Sequence, residues 1–116
     1  MTRLTRRRFL HGTMAAGAAT ALGASRVFGA NETINMGFIG LGGRGSGSVG
    51  WFSKIKGVRV AGLADPDEKS LGANTKKHAD AKAVKDMREL LDDKDIQVVC
   101  ISTCNHWHAL AAVWAC

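Results

Sequence analysis

Several features that define other protein classes are scarce in this 116-residue sequence. It has only three cysteines, Cys100, Cys104 and Cys116, and their odd number and late clustering argue against a disulfide framework. The apolar stretch from Gly12 to Ala24 is short and rich in Ala and Gly, whereas a transmembrane helix needs about 20 apolar residues. We therefore expect neither a disulfide-stapled scaffold nor a membrane span.

The chain also lacks acidic residues in its first thirty positions, and this explains its formal charge of +6. Five of the 16 basic residues lie there, which leaves 11 basic residues against 10 acidic ones in the remainder. Such a nearly neutral remainder has no basic face suited to a phosphate backbone. We expect no nucleic-acid partner.

Residues 1–30 have the pattern of a twin-arginine export signal. Arg6 and Arg7 precede the pair Phe9-Leu10, and a weakly apolar segment follows. A mitochondrial-type presequence and a disordered basic arm are the alternatives. The pattern predicts a signal peptide over residues 1–30, cleavage near Ala30, passage through the twin-arginine machinery and a periplasmic or other extracytoplasmic location.

Residues 31–116 alternate short apolar runs with helix-compatible polar segments, as βαβ units do. The pattern predicts an α/β fold, a partial Rossmann domain with a parallel sheet of about four strands. The predicted strands are Ile34–Ile39, Val58–Ala64, Ala83–Lys85 and Ile96–Ser102. The predicted helices are Arg44–Lys54, Asp67–His78, Met87–Leu91 and His106–Ala115, with the tryptophans as packing residues.

A glycine-rich segment, Gly40-Leu41-Gly42-Gly43-Arg44-Gly45, follows the first predicted strand and opens the first predicted helix. In a G-x-G-x-x-G motif the first glycine permits a tight turn, the second lets the backbone approach a pyrophosphate, and the third lets helix and strand pack closely. A flexible Gly/Ser loop is the alternative. We predict that Gly40, Gly42, Gly43, Arg44 and Gly45 bind a dinucleotide.

Two more glycines, Gly47 and Gly50, fall inside the same predicted helix, although glycine lowers helix stability by up to about 1 kcal/mol relative to alanine. Helix propensity therefore does not explain them. Our hypothesis is that close packing does.

Asp65 ends the second predicted strand, twenty residues after Gly45. This is the spacing of the acid that binds the adenosine ribose hydroxyls, and a carboxylate there repels a 2′-phosphate. The sequence therefore favours NAD, with NADP as the alternative because Arg44 could accept that phosphate. Asp65-Pro66-Asp67 also has the pattern of a helix start with Pro at the first helical position, a role compatible with the first.

Four segments resemble the conserved motifs of one known family: Met36–Gly45, Val58–Asp65, Leu90–Val99 and Thr103–Ala109. In this order they resemble the Gfo/Idh/MocA (glucose-fructose oxidoreductase/inositol dehydrogenase) family from residue 34 to residue 116. The resemblance implies a parent enzyme that uses NAD(P) to oxidise or reduce a sugar, cyclitol or related polyol. It leaves two alternatives open, a glycosidase of the same family that uses tightly held NAD, and a catalytically dead truncated fragment.

The last segment is similar to the family's T-P-x-H-x-H loop, which lies beside the nicotinamide half of the cofactor. The resemblance places Thr103, Asn105 and His108 in the cofactor site, and Cys104 stands where proline is usual. We expect this change to loosen the loop. A metal site at His106 and His108 is disfavoured, because residues two apart on a helix face different ways.

The family's catalytic lysine lies in an E-K-P motif of the next strand, and its substrate domain follows. Neither occurs in these 116 residues, so we assign no catalytic residue. We expect the sequence to be cut off before both, which would leave one edge of strand 96–102 and an apolar helix face with Trp107 and Trp114 exposed. Poor solubility of the isolated chain is the corresponding prediction.

Overall fold

The structure is a computed structural model that describes residues 33–116. The predicted export signal and its cleavage point lie outside the described residues. Four strands and four helices alternate along the described part of the chain. They are β1 (Ile34–Ile39), α1 (Gly43–Phe52), β2 (Val58–Ala64), α2 (Glu68–Thr75), β3 (Lys82–Val84), α3 (Met87–Leu91), β4 (Val98–Ile101) and α4 (Asn105–Ala115).

The four strands form one parallel sheet in the order β3-β2-β1-β4. The predicted α/β class and the parallel sheet of four strands are therefore confirmed, and the strand order is that of a Rossmann fold. β1 lies in the middle of the sheet, where Phe38 pairs with Leu63 of β2 and Cys100 of β4.

The predicted bounds of β1, β2 and α3 match the structure, and the other elements differ at their ends. The first helix ends at Phe52 rather than Lys54, because the amides of Lys54 and Ile55 donate to carbonyls only three residues back. The fourth strand is shorter than predicted, since the Ile96 amide donates to Asp93 O within a turn.

The side chains of β1 alternate between the two faces of the sheet, as strand geometry requires. Met36 and Phe38 belong to a core with Leu41, Val49, Val60, Leu63 and Ala81 on one side. Ile39 belongs to a second core with Ala64, Val84 and Leu90 on the other. A parallel sheet covered on both faces is the arrangement expected of βαβ units.

Two strand glycines make room for α3, a role that sequence analysis missed. Gly37 of β1 and Gly62 of β2 are paired neighbours in the sheet. A Cβ atom at Gly37 would lie 2.7 Å from Leu90 Cδ2, and one at Gly62 would lie 2.8 Å from Leu90 Cδ1. Leu90 is only 1% exposed, so these glycines form the socket that buries it.

The expected exposed edge and apolar helix face are present. Within residues 33–116, β4 pairs only with β1, and α4 exposes Trp107, Leu110, Val113 and Trp114. None of the helices in this range is long and apolar enough to cross a membrane. Poor solubility itself stays a prediction.

The structure contradicts two packing predictions on α1. Trp51 is 76% exposed and is therefore not a packing residue. A Cβ atom at Gly47 or Gly50 would meet no atom within 4 Å, so our close-packing hypothesis for these glycines is wrong. Nothing in the described structure explains the choice of glycine at either position.

This difference between helix and strand glycines can be tested by stability measurements. We expect Gly47→Ala to raise the free energy of unfolding by about 0.5–1 kcal/mol, because alanine favours the helix and meets open space. We expect Gly62→Ala to lower it by about 1–3 kcal/mol, because the added methyl group overpacks Leu90 and Ile96. Urea unfolding followed by circular dichroism measures both. Equal effects of the two substitutions would contradict the packing described here.

Candidate functional site

Three of the predicted site segments meet at the carboxyl edge of the sheet. Gly40 follows β1, Asp65 follows β2, and Thr103 lies just beyond β4. Backbone hydrogen bonds join the strand ends, from Gly40 N–H to Ala64 O at 2.9 Å and from Ser102 N–H to Ile39 O at 2.8 Å. Ligands of open parallel sheets bind at this edge, so the structure brings the predicted residues to the expected place.

Gly40 makes the tight turn that the motif predicts. Its φ angle is +84°, a conformation that L side chains rarely adopt. A Cβ atom here would also lie 2.8 Å from Ser102 C and from Thr103 N. Glycine therefore allows both the turn and the close approach of residues 102–104, the loop between β4 and α4, which we call the β4 loop.

Gly45 allows α1 to pack against this turn. A Cβ atom at Gly45 would lie 1.8 Å from the carbonyl oxygen of Gly40, which no side chain could tolerate. This confirms the packing role predicted for the third glycine. Gly42 and Gly43 differ, since added Cβ atoms would meet open space, and their approach to a pyrophosphate stays a prediction.

The start of α1 presents backbone amides that have no acceptor within residues 33–116. Ser46 is the first residue of the helix whose amide donates backward, to Gly42 O at 2.9 Å. Within residues 33–116, no hydrogen bond is donated by the amides of residues 42–45, and Gly42 provides no side-chain cap. Four unpaired N–H groups and the positive end of the helix dipole suit an anion. Arg44 adds an exposed positive charge.

Asp65 is almost buried, with 8% of its surface exposed, and both of its carboxylate oxygens accept backbone hydrogen bonds. Oδ2 accepts from Leu41 N–H at 2.5 Å, and Oδ1 accepts from Asp67 N–H at 2.8 Å. Each oxygen keeps a second lone pair for a further donor. The bond to Leu41 ties Asp65 to the glycine-rich loop, which sequence analysis did not foresee.

The predicted helix start at residues 65–67 needs a correction. Asp67, not Asp65, is the N-cap of α2, so Pro66 precedes the cap instead of occupying the first helical position. The Asp67 side chain accepts from the amides of Lys69 and Ser70. The Ser70 hydroxyl, followed by these amides, lowers the pKa of Asp67, which therefore stays ionised at neutral pH.

Cys104, the N-cap of α4, has φ −61° and ψ 149°. Proline fixes φ near −65°, so the backbone keeps a proline-compatible conformation although the residue is cysteine. The expected loosening of the loop stays a prediction. Asn105 is the exposed first residue of α4, and Thr103 is half-buried between this helix and the Gly40 turn.

His108 is tethered to the same loop. Its Nε2 lies 2.7 Å from the carbonyl oxygen of Thr103. A carbonyl can only accept, so Nε2 carries the proton of this bond and Nδ1 is the remaining ring nitrogen. The predicted contact of His108 with cofactor or substrate stays a prediction. His106 is exposed with its ring beside Trp107, and residues 33–116 contain no group of three His, Cys, Asp or Glu side chains placed to hold a metal.

Comparison with known proteins identifies the class. Residues 34–115 match the Gfo/Idh/MocA oxidoreductase family, described by its NAD-binding Rossmann fold. The chain belongs to this family and carries its NAD-binding domain, as the sequence resemblance predicts.

Similar proteins fall into two groups. Among solved structures, myo-inositol dehydrogenase from Lactobacillus casei, in complex with NAD(H) and myo-inositol, has a TM-score of 0.68 and 25% identity over 72% of this chain and 25% of its own. An NAD-binding oxidoreductase from Klebsiella pneumoniae has a TM-score of 0.56 and 28% identity over 72% of this chain and 24% of its own. A glycosyl hydrolase family 109 protein from Shewanella pealeana is 33% identical over 71% of this chain and 20% of its own length.

A second family 109 protein, from Shewanella sp. strain ANA-3, is 31% identical over 93% of this chain and 30% of its own length. The chain thus spans 20% to 30% of the length of these two curated relatives.

The backbone at Cys104 leads to a prediction for the β4 loop. No hydrogen bond is donated by the Cys104 amide within the described structure, and its φ angle already suits proline. We expect Cys104→Pro to raise the free energy of unfolding by about 0.4–1 kcal/mol, by restricting the unfolded chain. Thermal unfolding measures the change, with Cys104→Ala as the control. A lower stability of the proline variant than of the alanine variant would contradict the assigned loop conformation.

Proposed function

We propose that this chain binds NAD across the carboxyl edge of its sheet, as the cofactor-binding part of an oxidoreductase that acts on a sugar, cyclitol or related polyol. The observation that carries the proposal is the group of four unpartnered amides at the start of α1, from Gly42 to Gly45. The turn at Gly40 and the packing at Gly45 hold these amides at the end of β1. The residues present therefore fit a diphosphate.

The diphosphate would accept hydrogen bonds from these amides and lie at the positive end of α1. No acidic side chain occurs in the first turn of this helix to oppose it. Gly42 and Gly43 leave open space where side chains would otherwise stand, and the exposed Arg44 adds positive charge.

The adenosine ribose would donate its hydroxyl protons to Asp65, whose oxygens keep lone pairs beyond those used by Leu41 and Asp67. The Asp67 carboxylate, whose pKa is lowered mainly by the Ser70 hydroxyl, follows two residues later. Two negative charges here disfavour a 2′-phosphate, which supports NAD over NADP. Arg44 provides the one nearby positive side chain of the glycine-rich loop, and NADP remains the alternative cofactor.

The nicotinamide half would lie against the β4 loop, near Thr103, Asn105 and His108. The close approach of Gly40 to Ser102 and Thr103 supports this placement, because it puts the loop after β4 next to the glycine-rich loop. The tether to Thr103 O leaves the Nδ1 atom of His108 for a further partner. NAD supplies the hydride acceptor of such a reaction, and we assign no catalytic residue among residues 33–116.

A second candidate activity is NAD-dependent glycoside hydrolysis, with transient oxidation of the sugar and no net redox change. The family 109 relatives, at 31% to 33% identity, favour it. Product analysis of the full-length parent protein separates the two activities. Released sugar without accumulated NADH supports the glycosidase, and a ketone product with stoichiometric NADH supports the dehydrogenase.

Export by the twin-arginine route is part of the proposal. The Arg6-Arg7 pair ahead of Phe9-Leu10, with no acidic residue before Asn31, supports it. A periplasmic or other extracytoplasmic location follows from this route.

NAD binding is tested by titrating NAD and NADP into the chain and into Asp65→Ala. We expect tighter binding of NAD than of NADP, and an increase of at least about tenfold in the Kd for NAD in the variant, because hydrogen bonds to charged groups contribute about 1.5–3 kcal/mol. Isothermal titration calorimetry provides the Kd values.

Asp86→Ala is the matched control for this titration. Asp86 is the N-cap of α3, and within the described residues its side chain accepts hydrogen bonds only from Arg88. We expect the Kd of Asp86→Ala for NAD to stay within about twofold of that of the unaltered chain. If the unaltered chain binds no NAD, or if Asp65→Ala binds it equally well, the proposed site is wrong.

A further inference from the structure

A buried amide side chain is hydrogen-bonded to the helix that follows the glycine-rich loop. Asn74 of α2 is only 2% exposed, and it is one of the few buried polar residues of the described structure. Its Nδ2 group donates to Ser46 Oγ of α1 at 2.8 Å and to Ser70 O at 2.9 Å. None of the contacts proposed for NAD involves this residue.

The chemistry of its neighbours determines the direction of these bonds. Ser46 Oγ donates its single proton to Leu41 O at 2.9 Å, so it can only accept from Asn74. The Ser70 carbonyl can also only accept. Both partners therefore require the NH₂ group of Asn74, which assigns the amide orientation without ambiguity.

The chain of bonds ends on the peptide group between Leu41 and Gly42. The Leu41 carbonyl accepts from Ser46, and the same planar peptide contains the Gly42 N–H, which points opposite to that carbonyl. The Leu41 amide on the other side is held by Asp65 Oδ2. A hydrogen bond that fixes the direction of the Leu41 carbonyl therefore also fixes the direction of the Gly42 N–H.

Neighbouring atoms do not crowd the glycines that follow this peptide. A Cβ atom at Gly42 or at Gly43 would meet nothing within 4 Å. Successive glycines allow the backbone to rotate widely. Within residues 33–116, the bond from the Ser46 hydroxyl, supported by Asn74, is the one hydrogen bond made to this peptide group itself.

We propose that Asn74 is a positioning residue for the diphosphate of a bound dinucleotide. Through Ser46 it holds the Leu41 carbonyl, so that the Gly42 amide points out of the loop before the ligand arrives. The inference rests on the proposed function, because it assigns to Asn74 the orientation of an amide in the proposed site. Such preorganisation increases affinity by lowering the ordering cost of binding.

The test uses the full chain and two substitutions on the bond path, Asn74→Leu and Ser46→Ala. Each has a matched control on the same helix that removes a similar hydrogen bond outside the path. Thr75→Val removes the bond from Thr75 Oγ1 to Leu71 O on α2, and Ser48→Ala removes the bond from Ser48 Oγ to Arg44 O on α1. NAD and adenosine, which lacks the diphosphate, are titrated into each variant by NMR.

We expect Asn74→Leu and Ser46→Ala each to raise the Kd for NAD by about fivefold to tenfold, the scale of one hydrogen bond. The Kd of the double variant for NAD should be about the same as that of the weaker-binding single variant. Both substitutions break the same chain of hydrogen bonds, so their effects should not add. In the two path variants, the Kd for adenosine should stay within about twofold of its value for the unaltered chain. In the two control variants, the Kd values for NAD and for adenosine should both stay within about twofold. Without ligand, the Gly42 amide resonance should move in both path variants and stay in place in the controls.

Additive effects of the two path substitutions, or equal weakening of NAD and adenosine, would overturn the proposal and leave Asn74 with a role in stability alone. If Asn74→Leu does not fold, the comparison of Ser46→Ala with Ser48→Ala decides. Failure of the proposed function is distinguishable, because the unaltered chain would then bind no NAD in the same titration.

Discussion

The structure depends on one constraint, the close approach of the first turn of α1 to the end of β1. At Gly45 the helix lies so near the Gly40 carbonyl that no Cβ atom fits between them. This contact forces the chain to turn sharply at Gly40, with φ +84°, and brings the helix start directly above the sheet edge. Among the described residues, the first amides of the helix therefore have no carbonyls to pair with. Unpaired amides at a helix start suit an anion.

The same constraint explains why polar side chains surround the loop. A buried backbone group needs a partner, and Leu41 is 1% exposed at the centre of the loop. Asp65 accepts from its N–H, and Ser46, supported by Asn74, donates to its carbonyl. Asp65 thus joins the loop to the end of β2 while keeping lone pairs for a ligand, so loop support and ligand recognition are compatible in one carboxylate.

Much of this arrangement could be predicted from local pattern. Alternating apolar runs gave the strands, and the roles of Gly40 and Gly45 follow from a motif whose spacing encodes a turn and a packing contact. The features that sequence analysis missed or misjudged depend on contacts between distant residues. Gly62 accommodates Leu90, twenty-eight residues later, and Asn74 donates a hydrogen bond to Ser46, twenty-eight residues earlier. At Gly47, by contrast, an added Cβ atom would meet no atom within 4 Å. No local sequence pattern distinguishes the roles of these three residues, because each role depends on which helix, if any, packs against the residue in the folded chain.

The most direct test of the central claim is a ¹H–¹⁵N NMR titration of the chain with NAD, followed at the amides of residues 41–45. We expect large, saturable shifts for the amides of Gly42, Gly43, Arg44 and Gly45, which have no acceptor within residues 33–116. We expect a smaller change at Leu41, whose amide already donates to Asp65. Saturable binding that leaves the amides of residues 42–45 unchanged, or no binding at all, would show that the diphosphate does not bind at the start of α1.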